Sequence, residues 1–227
     1  MANAARKTNW LAIWISAAVV VVIVVIGALV VWMNKQALAL AESPATAVVN
    51  EETGAIALGE GDNVVDEYVD FMCPICGQYF DAYGETVQGL VDDGSLTLNL
   101  HPISILDRLS QGTNYSTRAA NAVYCVADDN ADAVYPFYDA LFQNQPAENS
   151  AGLDDDKLLS LAKQAGASGD VESCIADGDY NDFVAARTQE IPADPSTGQV
   201  STPTVTRNGE YVTLTLDAET DRAALLD

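Results

Sequence analysis

The apolar residues of this chain form two patterns, a continuous run near the N-terminus and a periodic pattern in the long body that follows. Residues 10–33 carry no charge and are mainly Val, Ile and Ala. As a helix they would extend about 36 Å, against roughly 30 Å for the hydrocarbon core of a bilayer. A cleavable signal peptide has an apolar stretch of only about 7–15 residues. The pattern therefore predicts a transmembrane anchor at 10–33.

The residues that flank this run predict its orientation. Arg6 and Lys7 precede it, and positively charged flanks stay on the cytoplasmic side of a membrane. The three tryptophans of the chain lie near the two ends of the run, where interfacial aromatic side chains occur. We therefore expect residues 1–9 in the cytoplasm and the body outside, as in a single-pass protein of the cell membrane. The small residues 39–41 leave cleavage by a signal peptidase as the alternative.

Residues 34–54 show no useful apolar period and are predicted to form a linker to a single domain at 55–227. In that domain, short apolar runs predict strands at 56–58 and 64–69. Pro74 suits the first turn of a helix, because apolar residues recur behind it at helical spacing.

The second half of the body begins with one more strand and then becomes helical. Alternating leucines at 96–100 predict that strand. A helical block occupies about 110–192, with Ser116 as the expected cap of its first helix. The strand pattern then returns around a two-residue hairpin signal at 208–209 and continues to Leu216, before a closing helix at 217–226. The order predicts an α/β fold with an all-helical insertion.

The charge of the body excludes two classes of partner. The chain has 33 acidic and 10 basic residues, a formal charge of −23. Three of the basic residues and none of the acidic ones precede Glu42, so the body carries −26. Such a body cannot neutralise phosphates, which argues against nucleic-acid binding, and it repels anionic lipid. Contact with the membrane is therefore expected only through the N-terminal helix.

Cys73 and Cys76 form a C-x-x-C at the junction of a predicted strand and helix. Unsatisfied backbone N–H groups and the helix dipole favour a thiolate there, so Cys73 is the expected nucleophile. Cys76 would be shielded and would resolve the mixed disulfide. We predict a redox-active pair that uses no metal and no cofactor. A structural disulfide, or half of a zinc site, is the alternative, although zinc usually takes four ligands as two close pairs.

The remaining candidates are three isolated residues. Cys125 and Cys174 lie in the helical block and are expected to form a structural disulfide, because an exported domain meets an oxidising compartment. His101 could be the base of a cysteine protease that uses Cys73. An exposed histidine in a loop is the expected alternative.

Four segments carry a resemblance to a known family: DFMCPICGQYF (70–80), NYSTRAANAVYCVAD (114–128), YDALFQNQP (138–146) and STPTVTRNG (201–209). Over roughly residues 55–226 the chain resembles the DsbA-like thiol:disulfide oxidoreductases, in particular the membrane-anchored members found in actinobacteria. The resemblance implies a thioredoxin fold with the helical block inserted between its halves. It implies an enzyme that introduces disulfides into unfolded exported proteins. A membrane partner, VKOR-like or quinone-linked, would reoxidise it.

The resemblance also implies roles for residues around the cysteines. Pro203 matches the family's cis-proline, and Thr202 before it would offer backbone groups to an extended substrate. An ordinary trans-proline entering an edge strand is the alternative. Pro74 and Ile75, between the cysteines, would complete the substrate-binding surface. The best-known oxidants of the family have histidine where this chain has Ile75, so we expect a weaker oxidant.

Glu67 precedes Cys73 by six residues, where the family keeps an acidic residue beneath the active site. A buried carboxylate there could exchange a proton with Cys76. The alternative is that Glu67 is exposed and Asp66 or Asp70 faces inward.

Two other functions remain open from the sequence. A reductase or isomerase on the same fold is favoured somewhat by Ile75 and Thr202. A non-enzymatic binding module, with the C-x-x-C as a structural disulfide, is the more distant alternative.

Overall fold

The N-terminal unit of the protein is one long apolar helix. The computed structural model describes residues 10–39, 44, 46, 48–217, 220, 221, 224 and 225. Helix α1, Trp10–Ala39, belongs to a unit separate from the folded domain. Its stretch Trp14–Trp32 has a mean hydropathy of 3.0 and is not buried. The helix is long and apolar enough to span a bilayer, and it continues six residues beyond the predicted run.

The folded domain begins before the predicted boundary at residue 55. Val49 is buried and forms an antiparallel bridge with Ile56. Between them, Asn50 Oδ1 accepts hydrogen bonds from two backbone N–H groups of the following turn, which brings the chain back on itself. The hydroxyl of Tyr124 donates a hydrogen bond to the carbonyl of Gly54 at 2.7 Å. Part of the predicted linker therefore belongs to the domain.

The domain is built on a mixed five-stranded sheet with the order β1-β3-β2-β4-β5. The strands are β1 Ile56–Leu58, β2 Asn63–Val69, β3 Leu96–Pro102, β4 Thr204–Arg207 and β5 Glu210–Tyr211. Strands β2 and β3 are parallel and are joined by helix α2, Pro74–Asp92, as a parallel pair requires. The other neighbours are antiparallel. This is the thioredoxin fold implied by the resemblance, which is confirmed.

The two faces of the sheet differ in polarity. On the face covered by α2, Val65 and Leu98 pack with Tyr83 in the main core. On the opposite face Asp66 accepts hydrogen bonds from the side chains of Asn99 and Thr206. Alternation along each strand produces this division.

His101 lies on the polar face of the sheet, so the expectation of an exposed loop histidine was wrong. It is only 3% exposed, because β3 continues through Pro102. Its Nε2 is 3.0 Å from Asp66 Oδ1, and its ring stacks on Tyr68 with centroids 4.1 Å apart. Its interactions are those of a structural histidine.

The segment between β3 and β4 is helical, as predicted. Its helices are α3 Tyr115–Asp129, α4 Val134–Gln143, α5 Asp155–Ala165, α6 Val171–Asp177 and α7 Asn181–Thr188, with 3-10 turns at Asp107–Leu109 and Ala131–Ala133. Asp154 caps α5 by accepting the N–H of Lys157, and Gly166 ends it with φ 110°. A disulfide between Cys125 and Cys174 joins α3 to α6.

The C-terminal part agrees with the predicted hairpin but not with the length of its second strand. Asn208 and Gly209 have φ values of 48° and 82°, which a two-residue turn of this kind requires. The predicted strand to Leu216 ends at Tyr211. Of the helix predicted at 217–226, residues 220, 221, 224 and 225 are helical, and 218, 219, 222, 223 and 226 lie outside the described residues.

Candidate active site

Cys73 lies where the chain turns from β2 into α2. It is the N-cap of the helix, in an extended conformation, and Pro74 is the first helical residue. Its backbone N–H donates to the carbonyl of Asp70 at 3.0 Å, and the side chain of Asp70 accepts the N–H of Met72 at 2.8 Å. The short loop at 70–73, called here the active-site loop, therefore directs Cys73 to the start of the helix.

The surroundings of Cys73 favour its thiolate. Its pKa is lowered from 9.0 to about 7, first by a hydrogen bond from the thiol of Cys76 and then by the backbone N–H groups of Cys76 and Ile75. Burial and the carboxylate of Asp70 oppose this shift. The backbone donors predicted from the helix start are present, but the leading contribution comes from the second cysteine.

Cys76 has the opposite tendency. It is fully buried, while Cys73 keeps 6% exposure. Burial raises the pKa of Cys76 well above its ordinary value, and the neighbouring Cys73 adds to this shift. The two sulfurs are not bonded to each other in the structure. In this reduced state, one thiol ionises readily and the other keeps its proton.

Thr202, the residue before Pro203, lies against both cysteines. The peptide bond between Thr202 and Pro203 is cis. The Sγ of Cys73 donates to the backbone carbonyl of Thr202 at 3.5 Å, and the Sγ of Cys76 lies 3.1 Å from the Thr202 Oγ1. The structure therefore brings together four of the residues singled out in the sequence.

Glu67 faces inward, and its side-chain hydrogen bonds are with two tyrosines and not with a cysteine sulfur. It is 2% exposed, and the hydroxyls of Tyr79 and Tyr138 donate to its two carboxylate oxygens. Burial raises its pKa to about 7, although these two hydrogen bonds favour the charged form. A carboxyl group with this pKa can hold or release a proton near neutral pH.

Asp70 is a buried carboxylate next to the cysteines that the sequence indicated only as an alternative to Glu67. Its side chain accepts the N–H of Met72, the N–H of Leu106 at 2.9 Å and the hydroxyl of Ser116 at 2.8 Å. Burial raises its pKa to about 6. The expectation that Ser116 caps α3 was wrong, because its hydroxyl bonds Asp70 and the N-cap position of the helix is Asn114.

Gln145 is the residue of the site that sequence reasoning missed. It lies just after α4, and its Nε2 donates to the carbonyls of Phe71 and Cys73 at 3.3 and 2.9 Å. Gln145 lies in 138–146, one of the segments that carry the family resemblance. No local pattern there indicates a contact with residues more than 70 positions earlier.

A shallow groove of about 310 Å³ lies beside the cysteines. Its wall is mainly apolar and includes Ile75, Pro203, Val212, Leu214 and Leu216. Ile75 exposes 49% of its surface and Leu216 exposes 44%. Apolar side chains held open to solvent beside a reactive sulfur are suited to contact with an unfolded chain. Within the described residues, no group of three His, Cys, Asp or Glu could hold a metal ion.

Comparison with known proteins assigns the domain to one family. A family model described as thioredoxin matches residues 51–227. The disulfide bond oxidoreductase DsbG of Mycobacterium tuberculosis is 33% identical, over 75% of this chain and 85% of that one, with a TM-score of 0.67. DsbA of the same organism is 32% identical, over 75% and 90%, with a TM-score of 0.67. The thiol-disulfide oxidoreductase MdbA of Corynebacterium diphtheriae is 26% identical, over 84% and 99%, with a TM-score of 0.64.

Part of the chain is also similar to a segment of a larger protein. The serine/threonine-protein kinase PknE of Mycobacterium tuberculosis is 39% identical over 118 residues, which are 50% of this chain and 21% of the kinase. The chain thus spans about a fifth of the curated relatives it matches, and the similarity concerns one region of them.

Proposed function

Since the chain belongs to the thioredoxin family, and within it to the DsbA-like thiol-disulfide oxidoreductases, we propose that it is an oxidase that introduces disulfide bonds into exported proteins. Cys73 and Cys76 would be its redox pair. The observation that carries the proposal is the unequal ionisation of the two thiols, with the pKa of Cys73 lowered to about 7 and that of Cys76 raised. A readily ionised first cysteine stabilises the dithiol, and a stabilised dithiol makes the disulfide oxidising.

The first step is attack on the disulfide form of the enzyme. A substrate thiolate attacks Cys73 Sγ, because this sulfur keeps some exposure whereas Cys76 has none. A substrate–Cys73 disulfide forms and the Cys73–Cys76 bond breaks. Cys76 leaves as a thiolate and takes up a proton, since burial disfavours its charged form. Glu67, a buried carboxyl group whose pKa is about 7, is the proposed source of that proton.

The second step completes the oxidation of the substrate. A second substrate thiolate attacks the substrate sulfur of the mixed disulfide and displaces Cys73 as a thiolate, which its surroundings stabilise. The substrate loses two electrons and two protons and gains a disulfide. The enzyme gains the two electrons and becomes the dithiol. Regeneration requires the disulfide of another protein, reduced in turn by thiol-disulfide exchange.

The substrate-binding surface in this proposal consists of Thr202, Pro203, Pro74 and Ile75. An extended segment would pair with the backbone next to the cis-proline, and its side chains would enter the apolar groove beside Ile75. This arrangement recognises main chain and apolar character, and so it fits unfolded proteins of many sequences.

The proposed location is the outer face of the cell membrane. Helix α1 is apolar enough for an anchor, and the basic residues before it favour a cytoplasmic N-terminus. The substrates would then be proteins leaving the translocon. The reoxidising partner would be a membrane protein of the VKOR-like or quinone-linked kind.

Trapping tests the proposed roles of the cysteines. In cells, Cys76→Ser should accumulate mixed disulfides between Cys73 and exported proteins, because the resolving sulfur is absent. Cys73→Ser, the matched control, should accumulate none. Trapping by Cys73→Ser but not by Cys76→Ser would reverse the assigned roles.

The alternative is a reductase or isomerase on the same site. Ile75 favours it, because an aliphatic side chain gives the Cys73 thiolate no charge and no hydrogen bond. The redox state of the Cys73–Cys76 pair in intact cells separates the two functions. An oxidase is found mainly as the disulfide, and a reductase mainly as the dithiol.

A further inference from the structure

Two side chains, one on each side, hold the active-site loop in place. On one side, the carboxylate of Asp70 accepts the N–H of Met72, the N–H of Leu106 just before the insertion, and the hydroxyl of Ser116 within it. On the other side, the carbonyls of the loop point towards the segment after α4. The insertion therefore reaches the loop that carries Cys73 at both edges.

Gln145 makes the contact on the second side. Its single amide nitrogen donates to the carbonyl of Phe71 at 3.3 Å and to that of Cys73 at 2.9 Å. The Cys73 carbonyl also accepts the first helical hydrogen bond, from the N–H of Gly77 at 3.1 Å. Both amide protons of Gln145 thus fix the backbone around the nucleophile relative to the first turn of α2.

Two features hold Gln145 in this position. Its backbone N–H donates to Phe142 at the end of α4, and the Phe142 ring packs on that of Phe71 with centroids 5.2 Å apart. On the other side lies Gly77. A Cβ on Gly77 would lie 2.3 Å from the Gln145 Oε1, and the three atoms nearest to that Cβ all belong to Gln145. The glycine leaves the space that the glutamine fills.

We propose that Gln145 is a positioning residue for thiol-disulfide exchange, by which the helical insertion sets the reactivity of Cys73. It acts by aligning the Cys73 sulfur with the thiol and N–H groups at the start of α2. Its amide N–H dipoles also polarise the carbonyl of Cys73. The inference holds for either direction of electron flow, so it does not depend on the oxidase proposal.

The test uses two single variants that remove the same contact in different ways. Gln145→Ala deletes the donors, and Gly77→Ala displaces them by occupying their space. The rate at which iodoacetamide alkylates reduced Cys73, measured against pH, reports its thiolate. Each variant should lower that rate at pH 6 by about threefold, which corresponds to about half a pKa unit. Gln143→Ala, which changes an exposed glutamine two residues earlier, should leave the rate unchanged.

The double variant distinguishes positioning from general damage. Because Gly77→Ala acts through Gln145, adding it to Gln145→Ala should change the rate no further. Alanine has a higher helix propensity than glycine, which offsets stability lost with the Gln145 hydrogen bonds, so Gly77→Ala should melt near the parent while its Cys73 reacts more slowly. The proposal is overturned if both single variants react like the parent, or if their effects add in full. If Gln145→Ala does not fold, the result for Gly77→Ala decides alone.

Discussion

The side chain of Thr202 connects Cys76 to the end of β2. Its Oγ1 lies 3.1 Å from the Cys76 Sγ and donates to the carbonyl of Tyr68 at 3.2 Å. With the hydroxyl proton directed at Tyr68, Thr202 can accept the Cys76 proton while Cys73 is also a thiol, and once Cys73 ionises the Cys76 thiol donates to Cys73 instead. When Cys76 becomes a thiolate, rotation of the hydroxyl lets Thr202 donate in return. One side chain can therefore serve both protonation states of the buried sulfur.

Replacing Thr202 should slow the release of Cys76. In Thr202→Val the departing thiolate loses a hydrogen bond worth about 1.5–3 kcal/mol, so reduction of the enzyme disulfide should slow by about tenfold or more. Stopped-flow measurement with dithiothreitol gives this rate. Thr204→Val is the control, since that hydroxyl bonds the carbonyl of Ser201 and no sulfur. Equal rates for the two variants would contradict the assignment.

Glu67 should make the folded state less stable as the pH rises. The pKa of Glu67 is about 7 in the folded protein, against an ordinary value of 4.5. Between these two pH values the folded protein therefore keeps a proton that the unfolded chain has released. Stability is therefore lost as the pH rises through this window, by about 3 kcal/mol in total. Asp70, with a pKa of about 6, contributes with the same sign.

Urea unfolding at pH 5 and pH 8 measures this effect. Glu67→Gln cannot ionise, so it should lose clearly less stability between the two values than the parent does. Glu85→Gln, at an exposed position of α2, should behave like the parent. A pH dependence that survives Glu67→Gln unchanged would show that Glu67 is not the group responsible.

Ile75→His should make the protein a stronger oxidant. Ile75 is half exposed, so a histidine fits without repacking, and its cation would stabilise the adjacent Cys73 thiolate in the reduced form. About 1.4 kcal/mol of stabilisation raises the reduction potential by about 30 mV. Equilibration with glutathione gives the potential, and Ile75→Gln controls for polarity without charge. A potential unchanged by histidine would refute this explanation of Ile75.

Asp70→Asn should lower the pKa of Cys73 further. The Asp70 carboxylate opposes the Cys73 thiolate, and asparagine removes that charge while keeping one acceptor oxygen for the loop. Thiolate absorbance against pH should shift to lower pH, whereas Asp81→Asn on the exposed side of α2 should not shift it. Stability should fall as well, because asparagine cannot accept all three hydrogen bonds of Asp70. An upward shift would mean that positioning outweighs charge at this residue.

The parts of the fold that local patterns determine were predictable from the sequence. Pro74 and the apolar residues behind it indicated α2. The asparagine–glycine pair at 208–209 indicated the hairpin, because these residues readily adopt the two positive φ values of a type I′ turn. The C-x-x-C at the helix start likewise predicted a thiolate on Cys73.

The parts that depend on distant segments were not predictable. Gln145 and Asp70 act through contacts between the active-site loop and the insertion, and neither residue type has a local signature for such a contact. The length of β3 depends on pairing with β2, so His101 was misplaced in a loop. The resemblance supplied Pro203 and Thr202, which no periodicity would have connected to Cys73.

Titration of the reduced protein tests the central claim most directly, because every step relies on the unequal ionisation of two neighbouring thiols. Thiolate absorbance should show one group ionising near pH 7, against an ordinary value of 9.0, and a second that stays protonated past that value. Cys73→Ser should abolish the first transition. If Cys73 ionised only near its ordinary pH, or if the early transition survived Cys73→Ser, the account of this site would be wrong.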